Sequence, residues 1–220
     1  MVGIADELFE IGLWEVQDRG LDGGHDGDPA PGPAEGRRRA DPWWPGTGWY
    51  KCVDFTLEQE TEDHAELDER VTWFFEAVAT TTGMVNTVVG QGQIYMTTKT
   101  DSKGQTLRAD CCYRLHVPKD VPVGQFWALT LYSKNSRRAC DNGGTELNSA
   151  NLDSNMEALK RNADGSVDLC IGARAPAGYE AKHMKTVGED GWFVYFRLYA
   201  PLEGFFDKSF ALTGFEAVDV

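Results

Sequence analysis

The run WFVYFRLYAP, residues 192–201, is apolar and aromatic except for one charge, Arg197. Read with period two, Phe193, Tyr195, Arg197 and Tyr199 share one face of a strand. Trp192, Val194, Phe196 and Leu198 take the other. One face must be core, so the other carries three aromatic rings and a cation. A concave aromatic face with one guanidinium suits a small carboxylate or hydroxylated ligand. The same residues also suit a structural arginine, bonded to a carboxylate or to loop carbonyls and stacked on tyrosine.

Two further clusters carry possible chemistry. In LRADCCYRLHVP, Arg114 and His116 fall on one side of a strand, with Tyr113, Leu115 and Val117 on the other. If that strand faces Arg197, the three residues form a basic pocket that concentrates anionic ligands. His116 would be its general base, the plain alternative being a hydrogen-bonded, partly buried histidine. Lys182 and His183 precede the last strong strand and could reach the mouth of the same pocket. The lysine charge would lower the histidine pKa and favour the neutral, base-competent ring, unless both sit in an exposed polar loop. The candidate catalytic residues are therefore His116 and His183. The candidate ligand-binding residues are Arg197, Arg114, Tyr195, Tyr199 and Lys182.

No metal site or cofactor is expected. His25 lies in a Gly/Pro-rich stretch, and His64 lies among carboxylates on the polar face of a predicted helix; both read as solvated. DSKGQ and DNGGTE supply too few oxygen ligands for calcium and read as turns, as does Asp164-Gly165. There is no nucleophile elbow, HExxH, P-loop or dinucleotide fingerprint, which leaves metal-free acid–base chemistry. The five cysteines are odd in number and make no zinc or CxxC spacing, so they read as reduced and mostly buried thiols.

The formal net charge of -14 excludes nucleic acid and anionic membrane surfaces as partners, because both would be repelled. A small-molecule ligand remains, with a homo-oligomer or a partner chain as further possibilities. The start, MVGIADELFEIGLWEVQD, lacks the basic and long apolar regions of a signal peptide, and no run is long enough to span a membrane. A cytoplasmic location is the expectation.

The chain's 220 residues fit one domain with an arm. Residues 1–17 are amphipathic and predict a short helix. Residues 18–42 are rich in Gly, Pro and charge, bury too little to offset their ordering entropy, and predict a flexible linker. The domain is expected over 43–220, beginning where Trp43, Trp44, Trp49 and Phe55 supply large apolar groups. Residues 58–83 predict a helix, with Leu67, Val71, Phe74, Phe75 and Val78 on one face, a possible Thr56/Gln59 capping box and Gly83 at its end. From residue 90 the period changes to two. QIYMTTKT, YRLHV, FWALTLY, SVDLCIG and WFVYFRLY predict strands separated by turn signals. The class is mainly β: an antiparallel β-sandwich or jelly roll with one preceding amphipathic helix.

The stretches RVTWFFEAVATTTGM, GQGQIYMTTKTDSKG, YRLHVPKDVPVGQFWALTLYS, NADGSVDLCIG and GWFVYFRLYAPLEGFFDKSF, in that order, carry a family resemblance. Over about residues 45–220 the chain resembles the 1214 half of proteins catalogued as paired domains of unknown function, 1254 followed by 1214 (DUF1214). The resemblance implies a jelly-roll-like β-sandwich and transfers no catalytic residue. Where relatives carry a 1254 half, this chain carries a short helix and linker. Where they tend to have Asn-Trp before the last strand, it has Lys182-His183. Where they tend to have Thr-Arg-Ser after the FWxLTLY strand, it has SKNSRRACDNGG.

These observations favour a cofactor-independent small-molecule lyase, isomerase or hydrolase with an Arg-anchored aromatic pocket. A non-catalytic ligand- or carbohydrate-binding module and an assembly partner are the alternatives.

Overall fold

The computed structural model describes residues 42–52, 60, 65, 88–141, 144–146, 151–186 and 191–218. The predicted N-terminal helix, the linker up to residue 41, Phe55 and the predicted helix over 58–83 lie outside the described residues.

The described residues are mainly β with almost no helix. The strands are β1 (Tyr50–Lys51), β2 (Gln93–Thr98), β3 (Cys112–Val117), β4 (Trp127–Ser133), β5 (Asn151–Asp153), β6 (Val167–Gly172), β7 (His183–Lys185), β8 (Trp192–Tyr199) and β9 (Glu216–Val218). One short helix, α1 (Glu203–Phe206), follows β8. Five strands form an antiparallel sheet in the order β1-β2-β8-β4-β5. The other four form a second sheet in the order β7-β6-β3-β9.

That second sheet departs from the all-antiparallel expectation. β3 pairs antiparallel with β6 and β9, but β6 and β7 run parallel. A parallel neighbour needs a crossover, and residues 173–182, ending in a 3-10 turn at Glu180–Lys182, provide it.

Period two decides which side chains enter the core. On β8, Val194, Phe196 and Leu198 are buried completely, as are Ile94 and Met96 on β2 and Leu129 on β4. From the second sheet come Tyr113, Leu115 and Val117 on β3 and Val167, Leu169 and Ile171 on β6. All belong to one continuous apolar cluster. Each fully buried Val, Leu or Phe contributes about 1.5–3 kcal/mol relative to exposure. This cluster fixes which residues of each sheet must face away from it.

The tryptophans before β1 close the core from outside the sheets. Trp49 packs against Phe196 and Phe215, and its Nε1–H donates to the Thr213 carbonyl at 2.8 Å. Trp43 stacks on Phe205 and Trp44 meets Phe205 and Phe210 edge-on. The Asp101–Gly104 turn forms as expected: Asp101 Oδ1 accepts from the amides of Lys103 and Gln105, and Gly104 takes a φ of 78° that favours glycine.

Candidate functional site

Arg197 lies on the outer face of the five-stranded sheet, because its neighbours Phe196 and Leu198 occupy the core. Across the β2–β8 ladder its register partner is Tyr95, and Thr97 pairs with Tyr195. On the other side, β4 aligns Ala128 with Arg197, Thr130 with Tyr195 and Tyr132 with Phe193. Three adjacent strands therefore set Tyr95, Thr97, Thr130, Tyr132 and Tyr195 around one guanidinium.

The guanidinium is half-buried and makes two side-chain hydrogen bonds. Nη1 donates to Thr130 Oγ1 at 2.5 Å and Nη2 donates to the Tyr132 hydroxyl at 2.8 Å. Its carbon lies 5.1 Å from the Tyr95 ring centroid and 5.7 Å from that of Tyr195. The Thr130 hydroxyl in turn donates to Asn151 Oδ1 at 2.6 Å. Among the described residues no carboxylate pairs with Arg197. Burial works against its charge, but Tyr132 and the neighbouring tyrosines outweigh burial and leave the arginine pKa raised. One strand over, Thr97 is 6% exposed and its hydroxyl has no hydrogen-bond partner among the described residues.

Lys99 continues the line of Tyr95 and Thr97 along the chain. Burial first, then the charges of Arg137 and Lys134, pull its pKa down to about 8. The Arg137 guanidinium lies 4.3 Å over the Phe193 ring.

His116 and Arg114 project from the second sheet, opposite its core-facing Tyr113, Leu115 and Val117. They and Arg197 therefore lie on faces directed away from a shared core, and the predicted three-residue basic pocket is not assembled. Period two identifies the outer face of a strand but not the sheet the strand joins. Arg114 is instead paired with Glu216 of β9 at 2.6 Å, both exposed. Such a surface pair contributes little to stability.

His116 has a more organised setting. Its Nδ1 lies 2.8 Å from Asp168 Oδ1, so Nδ1–H donates to the carboxylate. The ring is 42% exposed. Asn162 Nδ2 donates to Asp168 Oδ2 at 2.7 Å and to Ser166 Oγ, while Lys182 Nζ donates to Asn162 Oδ1 at 2.7 Å. The NADG turn makes this possible: Gly165 N–H bonds the Asn162 carbonyl, Gly165 takes φ 89°, and Asp164 Oδ1 accepts from Ser166. Burial would raise the Asp168 pKa. The hydrogen bonds from His116 and Asn162 and the charges of His116 and Lys182 outweigh it, and the net shift is downward.

His183 stands in β7 rather than in a loop, paired with Cys170 and only 5% exposed. Its Nε2 lies 2.8 Å from the Gly172 carbonyl, which makes it a donor held by the backbone. Its pKa is lowered chiefly by burial, against the opposing hydrogen bond to Gly172, and the charge that adds to burial is that of Lys185 rather than the expected Lys182. Lys182 joins the His116 cluster through Asn162, and His183 does not. Tyr195 stands with Arg197, whereas Tyr199 stacks on Phe126 at 4.1 Å.

Sequence reading missed Tyr95, Thr97, Thr130 and Tyr132, although alternation in QIYMTT and WALTLY places each opposite the core residues. It also missed Asp168, the one charge in SVDLCIG. Among the described residues no cluster of three or more His, Cys, Asp or Glu could hold a metal ion, and no helix is long and apolar enough to cross a membrane.

The model of the family described as "Protein of unknown function (DUF1214)" matches residues 92–203, just over half of the chain, and the chain belongs to that family. No curated protein matches it. Among solved structures, the VPA0106 protein from Vibrio parahaemolyticus is similar over 71% of this chain and 36% of its own, with a TM-score of 0.52 and 17% identity. At that identity the likeness is one of fold. An uncharacterized protein from Burkholderia cenocepacia aligns with 98% of this chain and 48% of its own, at 14% identity and a TM-score of 0.39. The chain thus spans less than half the length of either structure.

Proposed function

We propose that this DUF1214 domain is a β-sandwich of jelly-roll type that binds a small anionic or hydroxylated molecule on the outer face of its five-stranded sheet. The observation that carries the reading is Arg197: a half-buried guanidinium held by two neutral hydroxyls, with no carboxylate partner among the described residues. A buried charge is ordinarily compensated by an opposite one. Here the anion would be the ligand's. Tyr95 and Tyr195 supply apolar ring surface for its body, and the Thr97 hydroxyl is a buried group in need of a partner.

The histidines belong to the other sheet, so this reading is one of binding without acid–base chemistry at Arg197. A second reading has its own support. His116, oriented by Asp168 through Nδ1 and partly exposed, has the form of a general base held in one tautomer. A cofactor-independent lyase, isomerase or hydrolase would use that cluster, with Lys182 near it, and would not need Arg197.

A thermal-shift screen of small carboxylates, sugars and phosphates, run on the wild type and on Arg197→Met, tests the first reading. A ligand that binds only the native state raises the melting temperature by mass action. The expected result is a shift in the wild type that the folded variant lacks. An equal shift in the two proteins would remove Arg197 as anchor. Turnover lost in His116→Ala but retained in Arg197→Met would favour the second reading.

A further inference from the structure

Two of the five cysteines lie close together on the outer face of the four-stranded sheet, remote from Arg197. Cys112 on β3 and Cys170 on β6 are diagonal neighbours across an antiparallel pair, and their sulfurs lie 2.7 Å apart. That is inside ordinary non-bonded contact, though longer than a covalent S–S bond of about 2.05 Å, so the two thiols touch without being joined. Gly172 makes the approach possible. Continuing the register places it opposite Cys112, and a Cβ there would sit 3.0 Å from Cys112 Cα and 3.2 Å from its Cβ. With glycine, the Cys112 side chain is free to lean toward Cys170.

We propose that Cys112 and Cys170 are a redox pair that closes to a disulfide when a small hydroperoxide or a low-molecular-weight disulfide reaches them. Cys112 is the attacking thiol. Its pKa is lowered, chiefly by the hydrogen bond from Cys170, whose own pKa is raised by that bond and by burial. With a hydroperoxide, the Cys112 thiolate attacks the outer peroxide oxygen. The S–O bond forms, the O–O bond breaks, and the alcohol or water leaves with a proton from solvent. Cys170 then attacks the sulfenic sulfur, the S–S bond forms, and water leaves, taking up the Cys170 proton. Two thiols are oxidised by two electrons and one peroxide is reduced. With a disulfide oxidant, two exchange steps give the same bond and release two thiols.

Access is limited but has a route. Cys112 is 5% exposed and Cys170 1%. Cys112 is flanked by β9, a three-residue edge strand in which Val218 is its register partner. Short edge strands open at low free energy. The adjacent Cys111 is engaged differently, with its sulfur 3.6 Å from Asp110 Oδ1. The bond would tie two strands 58 residues apart in sequence and restrict the unfolded chain accordingly.

The test uses the full chain, reduced with dithiothreitol, desalted, and treated with hydrogen peroxide or oxidised glutathione. It is then unfolded in guanidinium with N-ethylmaleimide and digested. The proposal expects three of the five thiols to be labelled, one linked peptide pair joining Cys112 to Cys170, and a melting temperature several degrees above that of the reduced protein. Dithiothreitol should restore all five labels. In Cys170→Ser, Cys112 should accumulate as a sulfenic acid trapped by dimedone when peroxide is used. Five labelled thiols after oxidation, or a link through Cys52, Cys111 or Cys140 instead, would overturn the proposal. The wild-type labelling decides the matter even if the serine variant does not fold.

Discussion

Tyr95 and Arg197 are register partners across β2 and β8, with the guanidinium 5.1 Å over the ring. Burial raises the Tyr95 pKa more than the arginine lowers it, so the phenol stays protonated and neutral through the physiological range. The pair is thus a cation on a neutral ring, not an ion pair. Replacing Arg197 with Met removes two hydrogen bonds from a charged donor and should destabilise the fold by about 1.5–3 kcal/mol. Tyr95→Leu should cost about 0.5–2 kcal/mol. Because the two share one contact, the double variant should lose less than the sum. Urea unfolding of the four proteins measures this, and strict additivity would show that ring and guanidinium are not coupled.

Asp168 predicts an acid limb in the stability profile. Its folded pKa lies below the ordinary 3.8 because His116, Asn162 and Lys182 favour the carboxylate over the opposing effect of burial. A depressed carboxylate contributes stability that is complete above the unfolded pKa and is lost as pH falls through the folded one. Asp168→Asn should therefore be less stable than wild type near neutrality. The gap should narrow as the pH drops below about 4, toward the range where the wild-type carboxylate is also protonated. Melting temperatures across acid pH report it; a gap independent of pH would rule out the carboxylate charge as the cause.

Lys99 predicts the opposite limb. Its folded pKa is about 8 against 10.5 for a free lysine, owing to burial and then to Arg137 and Lys134. Between those values the unfolded chain binds more protons than the native one, so this group's contribution to stability rises with pH. Below pH 8 the native state carries the full cost of the buried charge. Lys99→Met should melt higher than wild type at neutral pH, and the difference should shrink toward pH 10.5. A constant difference across that window would mean that packing, not charge, separates the two proteins.

Alternation made the inner and outer faces of β3, β4, β6 and β8 legible, since the core residues of each fall where period two puts them. It could not reveal how strands group. Arg114 and His116 follow the same pattern as Arg197, and only long-range pairing separates the sheets. β9 is three residues long and carries no pattern, so the Glu216 partner of Arg114 was invisible. The parallel β6–β7 pair follows a crossover whose APAGY start reads simply as a chain break. Lys182 and His183 read as one polar unit because they are adjacent. The strand begins between them and sends one into the Asn162 cluster and the other against the Gly172 carbonyl. At Arg197 the residue type and face were readable, while the threonine and tyrosine hydroxyls that hold it depend on register.

The Trp49 indole bonds the carbonyl of Thr213 across 164 residues and shares its niche with Phe215. One wall of the core therefore comes from the residue just before β1 and the other from the segment just before β9. On a ribosome the tryptophan emerges long before its partner is made. The early segment must wait unsealed through the synthesis of β1 to β8, and closure should be a late event. Long-range pairings of this kind slow folding. Chains cut before residue 213 should therefore behave as collapsed, sticky intermediates rather than as shortened native domains, even though they retain nearly every strand.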